Sequence, residues 1–173
     1  MYYSAKYHSP VGVITLACGG GGLAGLWIEG QKYHGDTIPE AMTAKSGMPV
    51  FGAAKQWLDR YFAGEKPGIS ELPLAPVGGA FRQGVWDILC EIPYGEVMTY
   101  GEIAKKMGCM SSQAVGGAVG HNPVSIIIPC HRVVGANGSL TGYAGGIQTK
   151  IRLLELEGVD TSKLFVPKKG TAL

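Results

Sequence analysis

The chain has 173 residues, 46% of them hydrophobic, and 15 Lys and Arg against 13 Asp and Glu give a net charge of +2. That length holds one sizeable domain or two small ones, and no run of about 18 apolar residues is present to span a membrane. Bulk charge does not announce a nucleic-acid binder. The 6 Lys/Arg before Ala80 meet 6 Asp/Glu, and 9 against 7 from Ala80 onward supply the whole excess, so any DNA affinity must come from a local, salt-sensitive surface.

The opening Met1-Tyr2-Tyr3-Ser4 has no basic segment leading into an apolar stretch, so no secretory signal is expected and a cytoplasmic protein is. Cys18, Cys90, Cys109 and Cys130 stand far apart without a CxxC spacing, and His8 and His34 offer no convincing ligand spacing with Cys18. Neither a zinc site nor a disulfide framework is expected. The thiols read as small buried apolar groups, with Cys130 the exception. No metal or cofactor is expected.

In chain order, Val13, Thr15 and Ala17 alternate with Ile14, Leu16 and Cys18 in a strand pattern. Gly19-Gly20-Gly21-Gly22 breaks it and Leu23–Ile28 resumes it, which predicts a hairpin. The glycines lack the following Gly-Lys-Ser/Thr of a phosphate loop. A helix is predicted from Pro49 to Ala63, with Phe51, Ala54, Leu58 and Phe62 at helical spacing. Residues 64–79, with Pro67, Pro73 and Pro76, are the best linker, so residues 1–78 form a small α/β supporting domain and 79–173 a second one.

Beyond the linker the pattern turns helical. Phe81, Val85, Ile88, Leu89 and Ile92 form a stripe ended by Pro93-Tyr94-Gly95. Thr99 with Glu102 makes a capping box for a short helix through Ile103, Ala104 and Met107. After Gly108, Ser111 or Ser112 caps a helix through Ala114, Val115, Ala118 and Val119. Two short helices around a Gly-containing turn suggest a helix-turn-helix, a geometry many helical domains share without binding DNA. The second carries Gly116, Gly117 and Gly120, each costing about 1 kcal/mol relative to Ala in a helix. Close helix packing and a smooth face for a groove explain them equally well. Val124–Ile128 reads as a buried strand, and a Gly-rich loop leads to a last helix with Ile147, Ile151 and Leu154 on one face, stopping at Glu157-Gly158. The tail, with Lys163, Lys168 and Lys169, reads as peripheral.

Chemistry concentrates at Pro129-Cys130-His131. Thiolate is the nucleophile, so a working cysteine needs a group to take its proton. Neighbours in an extended segment point to opposite faces, so a Cys130–His131 partnership needs a bend, which Pro129 can impose, or a bridging water. The imidazole also needs an acceptor on its other nitrogen, and Glu157 is a candidate. On these residues alone, ordinary core packing stands beside catalysis.

The string Asn122-Pro123-Val124-Ser125-Ile126-Ile127-Ile128-Pro129-Cys130-His131-Arg132-Val133-Val134 resembles the active-site signature of the O6-alkylguanine-DNA alkyltransferases. The likeness runs back through Val115-Gly116-Gly117-Ala118 and Gly95–Tyr100, and forward through Gly142–Gly146 to Leu153–Gly158, covering roughly residues 79 to 158. The resemblance implies an α+β fold: a ribonuclease-H-like N-terminal domain followed by a mostly helical, winged helix-turn-helix-like one. It implies a monomer that binds double-stranded DNA through the minor groove, flips out O6-alkylguanine (or O4-alkylthymine), and moves the alkyl group irreversibly to Cys130.

By position, the likeness gives Cys130 the attack and makes His131 the base through a water. Glu157 orients the imidazole and Tyr100 donates a proton to the departing guanine. Asn122 braces the turn between recognition helix and active-site segment. Backbone near Val133 and at Tyr143-Ala144 reads the base, Gly116 and Gly117 allow close groove approach, and Arg132 is a structural or phosphate-facing cation. At Gln113 the family commonly has an arginine that fills the vacated stack; Gln113 is shorter and uncharged. Two alternatives differ in class. A lesion sensor would bind without transfer, although such relatives lack the nucleophilic cysteine. A Cys-His-Glu hydrolase would turn over repeatedly.

Overall fold

The computed structural model describes residues 1–108 and 111–167; Cys109, Lys168 and Lys169 lie outside them. The chain divides into two units, Met1–Gly78 with Pro123–Ile127, and Gly79–Asn122 with Ile128–Leu173.

In the first unit, β1 (Tyr2–Ser9), β2 (Gly12–Gly19), β3 (Gly22–Ile28) and β4 (Met42–Ala44) form one sheet in the order β3-β2-β1-β4, antiparallel except for the β1–β4 pair. The predicted hairpin is present, with Gly19 opposite Gly22 and a two-residue turn between them. Central β2 is buried on both faces, its residues from Ile14 to Cys18 all inside. Helix α1 (Pro49–Phe62) packs on the sheet, with Pro49 in its first turn. Its buried face is Phe51, Ala54, Trp57, Leu58 and Tyr61, and the expected Phe62 is only half-buried, edge-on to Tyr61. Fourteen residues at 3.6 per turn carry the buried stripe back by one position at the C-terminal end.

The edge of β3 is covered twice. Leu23 donates to Pro73 O and accepts from Ala75 N, both at 2.8 Å; Leu26 donates to Pro123 O at 2.7 Å and accepts from Ser125 N at 3.0 Å. Residues 64–79 are therefore not a free linker, because Leu72 is buried and 73–75 close an otherwise open edge. The expected strand Val124–Ile128 also differs: only Val124 bridges the sheet, and the chain then turns sharply. Ile126 adopts a φ of 72° and Ile127 N donates to Ser125 O at 2.8 Å. The left-handed φ of Ile126 takes the chain out of the extended conformation a ladder needs, although the composition is that of a strand.

The second unit contains α2 (Ala80–Glu91), β5 (Met98–Thr99), α3 (Tyr100–Lys106), α4 (Ser112–Gly120), β6 (Val133–Val134) and α5 (Ile147–Leu156). Helices α2, α3 and α4 pack on one another, and Trp86 of α2, buried, donates its indole N–H to Ala118 O at 2.9 Å. Thr99 and Glu102 make the predicted capping box, and Ser111 caps α4 by accepting from Ala114 N at 3.1 Å. Strands β5 and β6 pair in parallel, which fixes the start of α3 beside the Cys130 segment. Val134, Leu140 and Leu154 form a local core with Ile151, Val159 and Leu164 around it. Among the described residues, no helix is long and apolar enough to cross a membrane.

Candidate active site

Cys130 opens a single 3-10 turn, Cys130–Arg132, set up by Pro129 at ψ 65°; its own N–H reaches back to Ile128 O at 2.8 Å. This is the bend that adjacent Cys and His need. The turn is inside the second unit, with His131 fully buried and Cys130 4% exposed. It is closed behind by Val133 N, which donates to Cys130 O, and braced in front by Asn122, whose Nδ2 donates to Ile128 O at 2.8 Å.

Glu157 organises the far side. At the C-terminal cap of α5, its carbonyl lies close to Gly95, where a Cβ would sit 3.1 Å from that oxygen at a φ of 82°. Only glycine combines that left-handed turn with that approach. The Glu157 carboxylate accepts His131 Nε2 at 2.6 Å and Arg132 Nε and Nη2 at 2.6 and 3.1 Å. Arg132 also donates Nη1 to Ile92 O at 2.7 Å, with its guanidinium over the Tyr94 ring. Burial alone would raise the Glu157 carboxyl, but the hydrogen bonds and charges of His131 and Arg132 outweigh it and bring it to about 2.

With Glu157 ionised, His131 donates from Nε2, which leaves Nδ1 as a bare lone pair. That atom is buried and meets no protein partner among the described residues. Burial pushes the imidazole down despite Glu157, so the ring is held neutral, a base rather than a cation. Burial also pushes the Cys130 thiol up, opposed by Asn122 and by the charge of Lys150.

Tyr100 is buried at the start of α3, its Oη donating to Thr141 O at 3.3 Å, and burial lifts its phenol to about 12. Tyr100 and Thr141 line a cavity of about 320 Å³ together with Gly101, Ser112, Gln113, Gly135 and Ala136. The cavity thus lies between α3, the start of α4 and the loop after β6, and Tyr100 in its wall feels the charge of Cys130. Gln113 is exposed at its rim; Tyr143 and Ala144 are half-buried in the loop before α5.

Two expected positions need correcting. Arg132 cannot face phosphate, because it is 7% exposed and committed to Glu157 and Ile92 O. At Val133 the N–H is engaged with Cys130, while the carbonyl accepts Lys150 Nζ at 2.5 Å and keeps a second lone pair. Of the two helix glycines, Gly116 is buried, whereas Gly117 faces out with no atom within 4 Å of where a Cβ would stand. One residue was missed. Lys150 is fully buried, donating to Val133 O and, at 3.1 Å, to Thr141 O. Its signal was its position, three residues after Ile147 and four before Leu154, in the middle of the apolar stripe.

Residues 80–159 match the family described as 6-O-methylguanine DNA methyltransferase, DNA binding domain, and residues 1–76 match that family's ribonuclease-like domain. A methylated-DNA–protein-cysteine methyltransferase of Methanosarcina acetivorans is 47% identical over 160 residues, covering 91% of this chain and 99% of that protein. The crystal structure of Mycobacterium tuberculosis O6-methylguanine methyltransferase aligns with a TM-score of 0.79 at 43% identity, over 98% of this chain and 97% of that one. The structure of Mycobacterium tuberculosis OGT in complex with DNA aligns with a TM-score of 0.78 at 43% identity, over 94% of each chain.

Proposed function

The chain belongs to the 6-O-methylguanine DNA methyltransferase family, and on that premise we propose that it repairs DNA by moving a methyl or other small alkyl group from guanine O6 to Cys130. The observation that carries this reading is the His131 imidazole, fixed by Glu157 on one nitrogen and bare on the other, in the same turn as the cysteine.

In the proposed reaction His131 Nδ1 receives the thiol proton through a water, and the Cys130 sulfur attacks the alkyl carbon. A C–S bond forms as the C–O6 bond breaks, and the electron pair leaves with the guanine. Tyr100 then delivers its phenolic proton to the guanine ring, so that a neutral base departs. Its high pKa keeps that proton in place until the anion appears. Glu157 holds the imidazole, Arg132 holds Glu157, and Asn122 holds the turn; these are positioning residues. A thioether is not hydrolysed under cellular conditions, so each molecule acts once.

The partner is double-stranded DNA carrying the lesion, entered from the minor groove. What supports this is the exposed, side-chain-poor face of α4, with Gln113, Ala114 and Gly117 outward, beside a cavity that suits an extruded base. The protein is expected to act as a monomer. Incubation with an O6-methylguanine oligonucleotide should add one methyl mass to the Cys130 peptide, at one methyl per chain, and Cys130→Ser should gain none. Equal labelling of both proteins, or repeated turnover, would sink the reading.

A further inference from the structure

Resting on that reading, the site poses a problem of charge: a sulfur buried inside the unit has to become an anion. We propose that Lys150 supplies the positive charge against which the Cys130 thiolate forms, as the counter-ion that the buried cluster otherwise lacks.

The case begins with what pairs with what. Besides Tyr100, whose raised phenol stays protonated, four ionisable groups surround the turn of Cys130. Arg132 and Glu157 neutralise one another in a two-point contact, and His131 is held neutral. Lys150 remains. Its ammonium is fully buried and donates only to the uncharged carbonyls of Val133 and Thr141. Among the described residues no carboxylate pairs with it. A buried, unpaired cation is costly, and packing does not demand one, since Met would fill the same place in the stripe of Ile147, Ile151 and Leu154.

Position points to the same partner. Val133 O, which accepts from Lys150, belongs to the residue whose N–H closes the turn onto Cys130 O. Thr141 O, the second acceptor, also receives Tyr100 Oη. Lys150 is thereby fixed between the nucleophile's turn and the tyrosine that faces the leaving group. The two groups feel one another's charge: Lys150 draws the thiol down against burial, and burial brings Lys150 itself to about 8, still mostly protonated at neutral pH. The titratable and charged groups around the pair are His131 and Arg132 of the same turn, Tyr100 of α3 and Glu157 at the end of α5. Two of them, Arg132 and Glu157, already offset each other. Lys150 is thus a positioning charge that acts through the sulfur.

The test is the pH dependence of Cys130 carbamidomethylation by iodoacetamide in the full chain, read peptide by peptide in the mass spectrometer. In Lys150→Met the midpoint should move up by about one pH unit or more, and methyl transfer at pH 7 should fall by roughly tenfold with lesion-duplex affinity unchanged. A labelling curve that overlays the wild type overturns the proposal. Should Lys150→Met fail to fold, the test does not rest on that variant alone. A second variant, Lys150→Gln, removes the charge but keeps a donor for Val133 O and Thr141 O, so its labelling midpoint should move up as well, and a curve that overlays the wild type overturns the proposal equally. Absence of methyl transfer in the wild type would remove the repair reading, while both labelling experiments would still report on Lys150.

Discussion

Arg132 lies two residues from the nucleophile in sequence and yet acts on it only through Glu157 and His131. Its guanidinium keeps Glu157 ionised while its positive charge, with burial, discourages a proton on His131. Removing it in Arg132→Met leaves a buried carboxylate facing only an imidazole, which should cost about 3–5 kcal/mol in chemical denaturation. The imidazole should then hold its proton to higher pH, so the acid limb of the transfer rate should move upward. Glu157 gives the matching sign on stability. Its folded pKa lies below the ordinary 4.5, at about 2, so its contribution is present above pH 4.5 and is lost as pH falls toward 2. Denaturation curves of Glu157→Gln across that window should be flatter than those of the wild type; equal slopes would show that the carboxylate is not held by its partners. Glu157 was expected as the partner of His131, but that Arg132 shares the same carboxylate could not be read from the string Cys130-His131-Arg132. Pro129 signals the bend, but the letters do not say which side chain turns inward, and the carboxylate that receives both His131 and Arg132 lies twenty-five residues beyond Arg132.

Helix α4 shows how far local pattern carries. Its cap at Ser111 and its partner helix with the Thr99–Glu102 box were legible because capping is short-range chemistry between residues three apart. Its faces were not legible, since an Ala/Gly-rich helix has little amphipathic contrast from which to tell Gly116, buried, from Gly117, exposed. Val124–Ile128 shows a related limit: β-branched composition spoke for a strand, and a tight turn at Ile126 overruled it. Gly117 now allows a clean separation of stability from function. A Cβ there meets nothing, so Gly117→Ala should stabilise the fold by about 1 kcal/mol through helix propensity alone. If this face approaches DNA as closely as proposed, the same methyl group should weaken lesion-duplex binding. A variant that is stabilised and binds equally well would place the DNA on another face.

At the scale of the whole molecule, the charge that reaches solvent is smaller than the composition suggests. Arg132 and Lys150, two of the nine cations from Ala80 onward, are buried, so the DNA-facing unit has little general attraction for phosphate. Gln113 sharpens this, because it stands exposed at the rim of the cavity near the start of α4, where an arginine would bring one more phosphate contact. Binding to undamaged duplex should accordingly be weak, with a shallow dependence on salt. Gln113→Arg should bind more tightly, and its plot of log affinity against log salt should steepen by about 0.9, the release of one counterion. That slope fixes the size of the effect. The variant's advantage over the wild type should shrink roughly three- to four-fold between 50 and 200 mM salt. A gain in affinity that persists undiminished at high salt would mean that position 113 acts by stacking or hydrogen bonding within the duplex rather than by charge, and parallel slopes for the two proteins would decide the matter.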